Sequence, residues 1–353
     1  MAIEKIDIDS FLTISKTIPV FDVRSPAEYS HAHIPNAMSL PLFTDEERKV
    51  VGTLYKQKSK QDAIKAGLDF FGVKMKVMVE EVEAVFKKKN VIINADNKPS
   101  VIVHCWRGGM RSAGVAWLLD LYGFKVYTLI GGYKSYRKWV LAQFEKQYPL
   151  NVVGGYTGSG KTEIIKGLIK KNIPAIDLEE IAVHRGSAFG NIGLPKQPSQ
   201  EQFENKLALQ LYNCTLQAQE KHLPIWLEDE SQRLGDVNIP RVFWEQMRFA
   251  TLFFLDLPFE ERLIHTVNMY GNLDKMKMIG AIIRIKKRLG GLEAKEAVSA
   301  FIEDRLEDCF RILLKYYDKQ YTRGMETREN LIEKRIIIPC DAVTEENVMK
   351  LLG

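Results

Sequence analysis

Residues 150–165, LNVVGGYTGSGKTEII, constrain the fold of this chain more than any other segment. An apolar run enters a glycine-rich turn and an amphipathic stretch follows directly, so a strand, a tight loop and a helix succeed one another. Within the loop the spacing is Gly155-x4-Gly160-Lys161-Thr162. Gly155, Gly158 and Gly160 let backbone amides close on phosphate oxygens, beside the small polar Ser159. Lys161 supplies a point charge, and the Thr162 hydroxyl can reach a magnesium ion. A strand that ends in a phosphate loop and feeds a helix belongs to a parallel sheet covered by helices.

The same alternation extends over most of the chain. In this half, strands are expected at 150–154, 173–176, 224–228, 251–255 and 335–339, with a long helical stretch over about 259–321. An earlier set is expected at 19–23, 37–40, 100–104 and 125–129, with helices at 111–122 and 133–147. Two α/β domains with mainly parallel sheets follow, at 1–147 and 148–353, the second carrying a helical insertion. The 353 residues, 46% hydrophobic and 27% charged, suffice for two cores and exclude a disordered chain. No apolar run approaches the roughly 18–20 residues that span a bilayer. The opening MAIEKIDIDS lacks the pattern of a signal peptide, so a cytoplasmic protein without membrane partners is expected.

The four cysteines form no CxxC pair, so neither a disulfide framework nor a structural zinc site is expected. Cys214, Cys309 and Cys340 read as core residues. Cys105 differs, because VIVHCWRGGMRSAG places it between a buried strand and a helix start. The amides and dipole at a helix N-terminus favour a thiolate there, and Arg107 and Arg111 add positive charge. Gly108 and Gly109 let the backbone curl into an anion nest. Cys105, Arg107 and Arg111 are therefore the candidate catalytic residues.

PVFDVRSPAEYSHAHIPNAMSLP and HCWRGGMRSA resemble the two signature segments of a rhodanese domain. The resemblance implies that Cys105 is a nucleophile carrying sulfur or selenium, and that Asp22 and Arg24 are structural. The Cys-x5-Arg loop is one residue longer than the usual sulfurtransferase loop and also satisfies the His-Cys-x5-Arg-Ser/Thr pattern of cysteine phosphatases. A cysteine phosphatase or sulfurtransferase fused to a small-molecule kinase is thus an alternative, as is a P-loop switch controlling a sulfur relay.

After the P-loop, WLEDESQRLG offers Glu228, Asp229 and Glu230 at a strand end, with Asp229 a candidate ligand for magnesium and phosphate alongside Thr162. In DLEEIAVHRGSAFG, His184 and Arg185 are candidate diphosphate contacts. Together with DEERKVVGTLYKQ and LLKYYDKQY, these segments resemble the tRNA 2-selenouridine synthase family over nearly the whole chain. That resemblance implies exchange of sulfur for selenium in wobble 2-thiouridine of tRNA, with selenophosphate as donor and an S-geranyl intermediate made from geranyl diphosphate. It implies no covalently bound cofactor, only Mg2+ with the P-loop ligand. Residues 275–288 hold six basic and no acidic residues; Arg284, Lys287 and Arg288 share a helix face and are candidate RNA contacts.

Overall fold

The computed structural model describes residues 3–88, 98–271, 273–328 and 331–352. The chain divides into two compact units, Met1–Ala142 and Gln143–Gly353.

In the first unit five strands, β1 (Glu4–Ile6), β2 (Val20–Asp22), β3 (Met38–Ser39), β4 (Ser100–His104) and β5 (Lys125–Leu129), form an all-parallel sheet ordered β1-β5-β4-β2-β3. The central β4 is a continuous apolar run because both its faces are covered. Val101, Val103, Val115, Leu119 and Val126 join Phe86 and Phe124 in one core. Helices Asp45–Gln57, Lys60–Gly72 and Met75–Lys87 occupy the segment between the two signature motifs. Helix Met110–Tyr122 starts five residues beyond Cys105, which fixes the cysteine at the C-terminal edge of the sheet.

The second unit repeats the plan with β6 (Leu150–Gly155), β7 (Ala175–Ile176), β8 (Ile225–Glu228), β11 (Thr251–Asp256) and β12 (Arg335–Pro339), all parallel and ordered β12-β11-β6-β8-β7. A small antiparallel ribbon, β9 (Arg233–Leu234) with β10 (Val237–Asn238), departs from the parallel scheme. The phosphate loop leaves β6, the middle strand, where open parallel sheets place their ligands.

The stretch read as one long helical segment is four helices: Phe259–Tyr270, Lys275–Leu289, Gly291–Ile302 and Leu306–Glu326. The breaks fall at Gly271, at Gly290 with φ +116° and at Asp304 with φ +57°. Phe301, Phe310, Leu313 and Tyr270 give this bundle its own core. Among the described residues no helix is long and apolar enough to cross a membrane.

Candidate functional site

Two sites emerge, one in each unit. In the first, Cys105 sits at the floor of the loop, 3% exposed, while Trp106, Arg107, Gly108, Gly109 and Met110 form an exposed rim. Burial works to push the Cys105 thiol up. Hydrogen bonding from the Ser112 hydroxyl and from the Ser112, Arg107 and Gly109 amides outweighs it and leaves the thiol below its ordinary value. Ser112 Oγ lies 3.3 Å from Sγ and 3.1 Å from the Gly109 carbonyl, so its one proton turns to the sulfur when Cys105 is a thiolate and to the carbonyl otherwise.

The loop is shaped from behind by the turn after β5. Gly132 has φ +58°, and a Cβ there would lie 2.3 Å from the Cys105 carbonyl and 2.6 Å from the Gly108 nitrogen. The next two amides, of Tyr133 and Lys134, donate to the Cys105 and Trp106 carbonyls at 2.9 and 3.0 Å. Only glycine fits this approach.

Arg107 is exposed and pairs with no carboxylate among the described residues. Arg111 is held by Glu28 through two hydrogen bonds of 2.6 and 3.3 Å. Burial raises the Glu28 pKa, but Arg111 outweighs it and holds the carboxylate ionised. Asp22 and Arg24 are fully buried partners, joined at 2.6 Å, and Arg24 also donates to the Ala32 carbonyl at 2.7 Å. Tyr133 lies 3.9 Å beneath the Arg24 guanidinium, so this pair holds the domain together from its interior.

In the second unit the loop opens into a cavity of about 830 Å3. Its floor is Thr157–Thr162 with Lys166; its polar wall includes Asp177, Glu179, Asp229 and Glu230; Arg185, Gly186 and Ser187 form a rim. Leu194, Trp244, Met269, Tyr270, Tyr317 and Met325 add apolar and aromatic surface, with the polar Arg248, His265 and Gln320 also in the lining. Gly160, φ +79°, caps the helix Lys161–Lys170, and a Cβ there would meet Val343 at 2.6 Å. Lys161 Nζ donates to the Gly155 carbonyl at 3.1 Å, and Thr162 Oγ1 donates to Glu179 at 2.9 Å. Ser159 Oγ is buried with no hydrogen-bond partner among the described residues.

A cluster of acids backs the loop. Glu228 is completely buried and accepts from the Leu178 amide at 3.0 Å. Burial and the neighbouring Asp177 push it well above the usual carboxylate range. Burial likewise raises Asp177 and Glu179. Glu230 is pushed up to about 8 by burial and by Glu179, against the pull of Lys161. Asp229 accepts from Tyr321 at 2.6 Å and is paired with Arg328, so both its oxygens are engaged.

Residues 148–338 match the family model described as the tRNA 2-selenouridine synthase AAA domain, and residues 9–138 match the rhodanese-like domain. The tRNA 2-selenouridine synthase of Hydrogenovibrio crunogenus is 33% identical over 351 residues, 91% of this chain and 92% of its own. That of Sulfurovum sp. is 35% identical, covering 89% of this chain and 90% of its own. The chain belongs to the tRNA 2-selenouridine synthase family. It is accordingly an enzyme, of the transferase class.

Within this member of the tRNA 2-selenouridine synthase family, Gly158, Ser159, Gly160, Lys161, Thr162 and Arg185 line the cavity, whereas Gly155 does not and meets Lys161 through its carbonyl. His184 does not line the cavity. It is packed between Gly190 and Gly235, and burial lowers its pKa, so it is a neutral support for the Arg185 turn. The preceding Val183 takes φ +54°, a costly conformation for a β-branched residue, at the cavity edge. Arg284, Lys287 and Arg288 are exposed on helix Lys275–Leu289, and Arg284 also donates to the Ala188 carbonyl at 3.0 Å.

Sequence reasoning missed Glu179, Tyr321 and Arg262. Tyr321 accepts from the Gly155 amide at 3.1 Å, and buried Arg262 bridges the Thr157 carbonyl at 3.1 Å to Asp318 at 2.8 Å. The repeated acids of DLEE were the available signal for Glu179, and the segment LLKYYDKQY, which ends at Tyr321, was one for Tyr321; Arg262 carries none.

Proposed function

We propose that this enzyme replaces sulfur by selenium in wobble 2-thiouridine of tRNA in the cytoplasm, through an S-geranyl intermediate. The P-loop cavity takes geranyl diphosphate and the Cys105 loop handles selenophosphate. The observation that carries this reading is the composition of the cavity wall. A phosphate loop with Lys161 faces a lining of Trp244, Met269, Tyr270, Tyr317 and Met325, which suits a diphosphate bearing a hydrocarbon tail.

In the first step the thiocarbonyl sulfur attacks the allylic carbon of the prenyl donor. The carbon–oxygen bond breaks, pyrophosphate leaves, and the nucleobase N3 proton is lost. Lys161 and the loop amides stabilise charge growing on the departing diphosphate. In the second step selenium adds at C2 and geranyl thiol departs.

The residues fit a magnesium ion beside the diphosphate. Thr162 and Glu179 bring a hydroxyl and a carboxylate within 2.9 Å of each other, and Ser159 Oγ leaves an unused polar atom in the loop. Thr162 and Glu179 would hold the ion, which would neutralise diphosphate charge. Among the described residues no group of three His, Cys, Asp or Glu side chains forms a metal site, so phosphate and water would complete the shell. The basic face of Arg284, Lys287 and Arg288 supports a role in contacting tRNA phosphates.

Mass spectrometry of nucleosides from 2-thiouridine tRNA tests this directly, with geranyl diphosphate and selenophosphate supplied singly and together. Wild type should give the S-geranyl product with the first and 2-selenouridine with both. Lys161→Ala should lose the geranyl step, and Cys105→Ala should stop after it. Normal geranylation by Lys161→Ala, or an unchanged nucleoside with folded wild-type protein, refutes the reading.

A further inference from the structure

We propose that the Cys105 thiolate attacks phosphorus, taking the phosphoryl group from a selenium–phosphorus bond and freeing selenium as a selenolate. This rests on the selenophosphate reading above and assigns the loop its chemical step.

The loop is built for a phosphoryl group. Five residues separate Cys105 from Arg111, and the Arg107 and Gly109 amides of the loop and the Ser112 amide in the first turn of helix Met110–Tyr122 hydrogen-bond toward the sulfur. Three inward donors match the three oxygens of a terminal phosphoryl group. Cys105 is 3% exposed at the floor of the loop, so a small terminal group suits it better than a flat ring. Arg107 on the rim has no carboxylate partner among the described residues and is available to the anion.

Phosphatase-like chemistry on an oxygen ester needs an acid for the leaving group. The acids here cannot serve: Glu28 is pinned by Arg111 and kept ionised, and Asp22 is buried against Arg24. A hydrogen selenide anion needs no such help, since hydrogen selenide is a stronger acid than alcohols or hydrogen sulfide. The missing acid and the long loop are therefore consistent with one substrate class.

The atoms balance. Sγ bonds to phosphorus as the phosphorus–selenium bond breaks, and the electron pair leaves on selenium, which departs as hydrogen selenide anion with the proton that the selenophosphate dianion brings. Water then attacks phosphorus, the sulfur–phosphorus bond breaks and phosphate departs. Phosphorus, sulfur and selenium keep their oxidation states. Ser112 Oγ, 3.3 Å from Sγ, stabilises the sulfur anion as nucleophile and again as leaving group. Attack on selenium instead would have to expel phosphorus with the electron pair, as phosphite.

The full-length protein is mixed with S-geranyl-2-thiouridine tRNA and selenophosphate, quenched in alkali and digested for peptide mass spectrometry. A phosphoryl adduct on Cys105 is expected, more abundant in Ser112→Ala, with phosphate as the product by phosphorus NMR. Cys105→Ala should form no adduct and no 2-selenouridine, while its circular dichroism and both thermal unfolding transitions match wild type, which shows that the variant is folded. Phosphite as product, or 2-selenouridine made by wild type without any adduct, overturns the inference. A second arm needs no tRNA: 2,4-dinitrophenyl phosphate should give a Cys105-dependent burst, and phenyl phosphate none. A burst without any nucleoside product would count against the tRNA reading alone. Nucleoside product with neither burst nor adduct would count against this inference alone.

Discussion

Replacing Ser112 by alanine removes one hydrogen bond from the Cys105 sulfur and leaves the amides in place. The hydroxyl stands 3.3 Å from Sγ and its contribution is the largest of those that lower the thiol. A hydrogen bond to a charged group contributes about 1.5–3 kcal/mol. At 1.36 kcal/mol per unit, the thiol should rise by roughly one to two units in Ser112→Ala. Below both values the thiolate fraction then falls about 10- to 100-fold. Each remaining thiolate is more nucleophilic, by a Brønsted coefficient of about 0.4–0.5, so the net alkylation rate falls about 3- to 10-fold. The assay is iodoacetamide labelling of Cys105 against pH, followed by peptide mass spectrometry. Cys214 and Cys309 are internal controls, since burial pushes them up to about 11 and about 12. An inflection at the same pH in both proteins would refute the reasoning and assign the depressed thiol to the backbone alone.

Glu230 is neutral below about pH 8 and negative above it, because burial and Glu179 push it up. Pyrophosphate affinity measured by calorimetry should weaken as pH rises through that value and lose this step in Glu230→Gln; an identical decline in the variant would place the titrating group elsewhere. Arg262→Ala strands the Asp318 carboxylate and the Thr157 carbonyl, so the urea midpoint should drop by the equivalent of about 3 kcal/mol; a loss below about 0.5 kcal/mol would make the bridge incidental. Lys287→Ala and Arg288→Ala should each reduce the slope of log affinity for tRNA against log salt by about one, and unchanged slopes would move the RNA contact off this helix.

The strands legible in the sequence are those with an apolar run. Ser100–His104 and Lys125–Leu129 lie where that pattern placed them and are largely buried, and Arg335–Pro339 lies where its run of isoleucines placed it although only Ile338 is buried. Glu4–Ile6, whose three residues are exposed or half-buried and which pairs only with β5, carried no such signal. The ribbon Arg233–Leu234 with Val237–Asn238 is too short for periodicity to register. Helical periodicity persisted from Phe259 into the last helix because each of the four helices buries one face in a shared core, so the breaks at Gly290 and Asp304 were invisible to it. At the sites, residues that act within one loop were readable: Cys105 with its glycines, and Lys161 with Thr162. Partners that arrive from afar were not, since Glu28 reaches Arg111 across 83 residues and Arg262 reaches Thr157 across 105. Such roles are set by packing, which leaves no local spacing to read.

The hydroxyl of Tyr321 meets the Gly155 amide across 166 residues of chain. During synthesis at about 5–20 residues per second, the phosphate loop therefore leaves the ribosome roughly 8–33 s before the residue that clamps it. For that interval the nascent loop lacks its brace, and Asp229 lacks both Tyr321 and Arg328. A ribosome-bound fragment ending short of Tyr321 should then release pyrophosphate faster than the finished chain. Ligand retention is thus acquired late in translation, after the parallel sheet has most of its strands and while β12 is still to come.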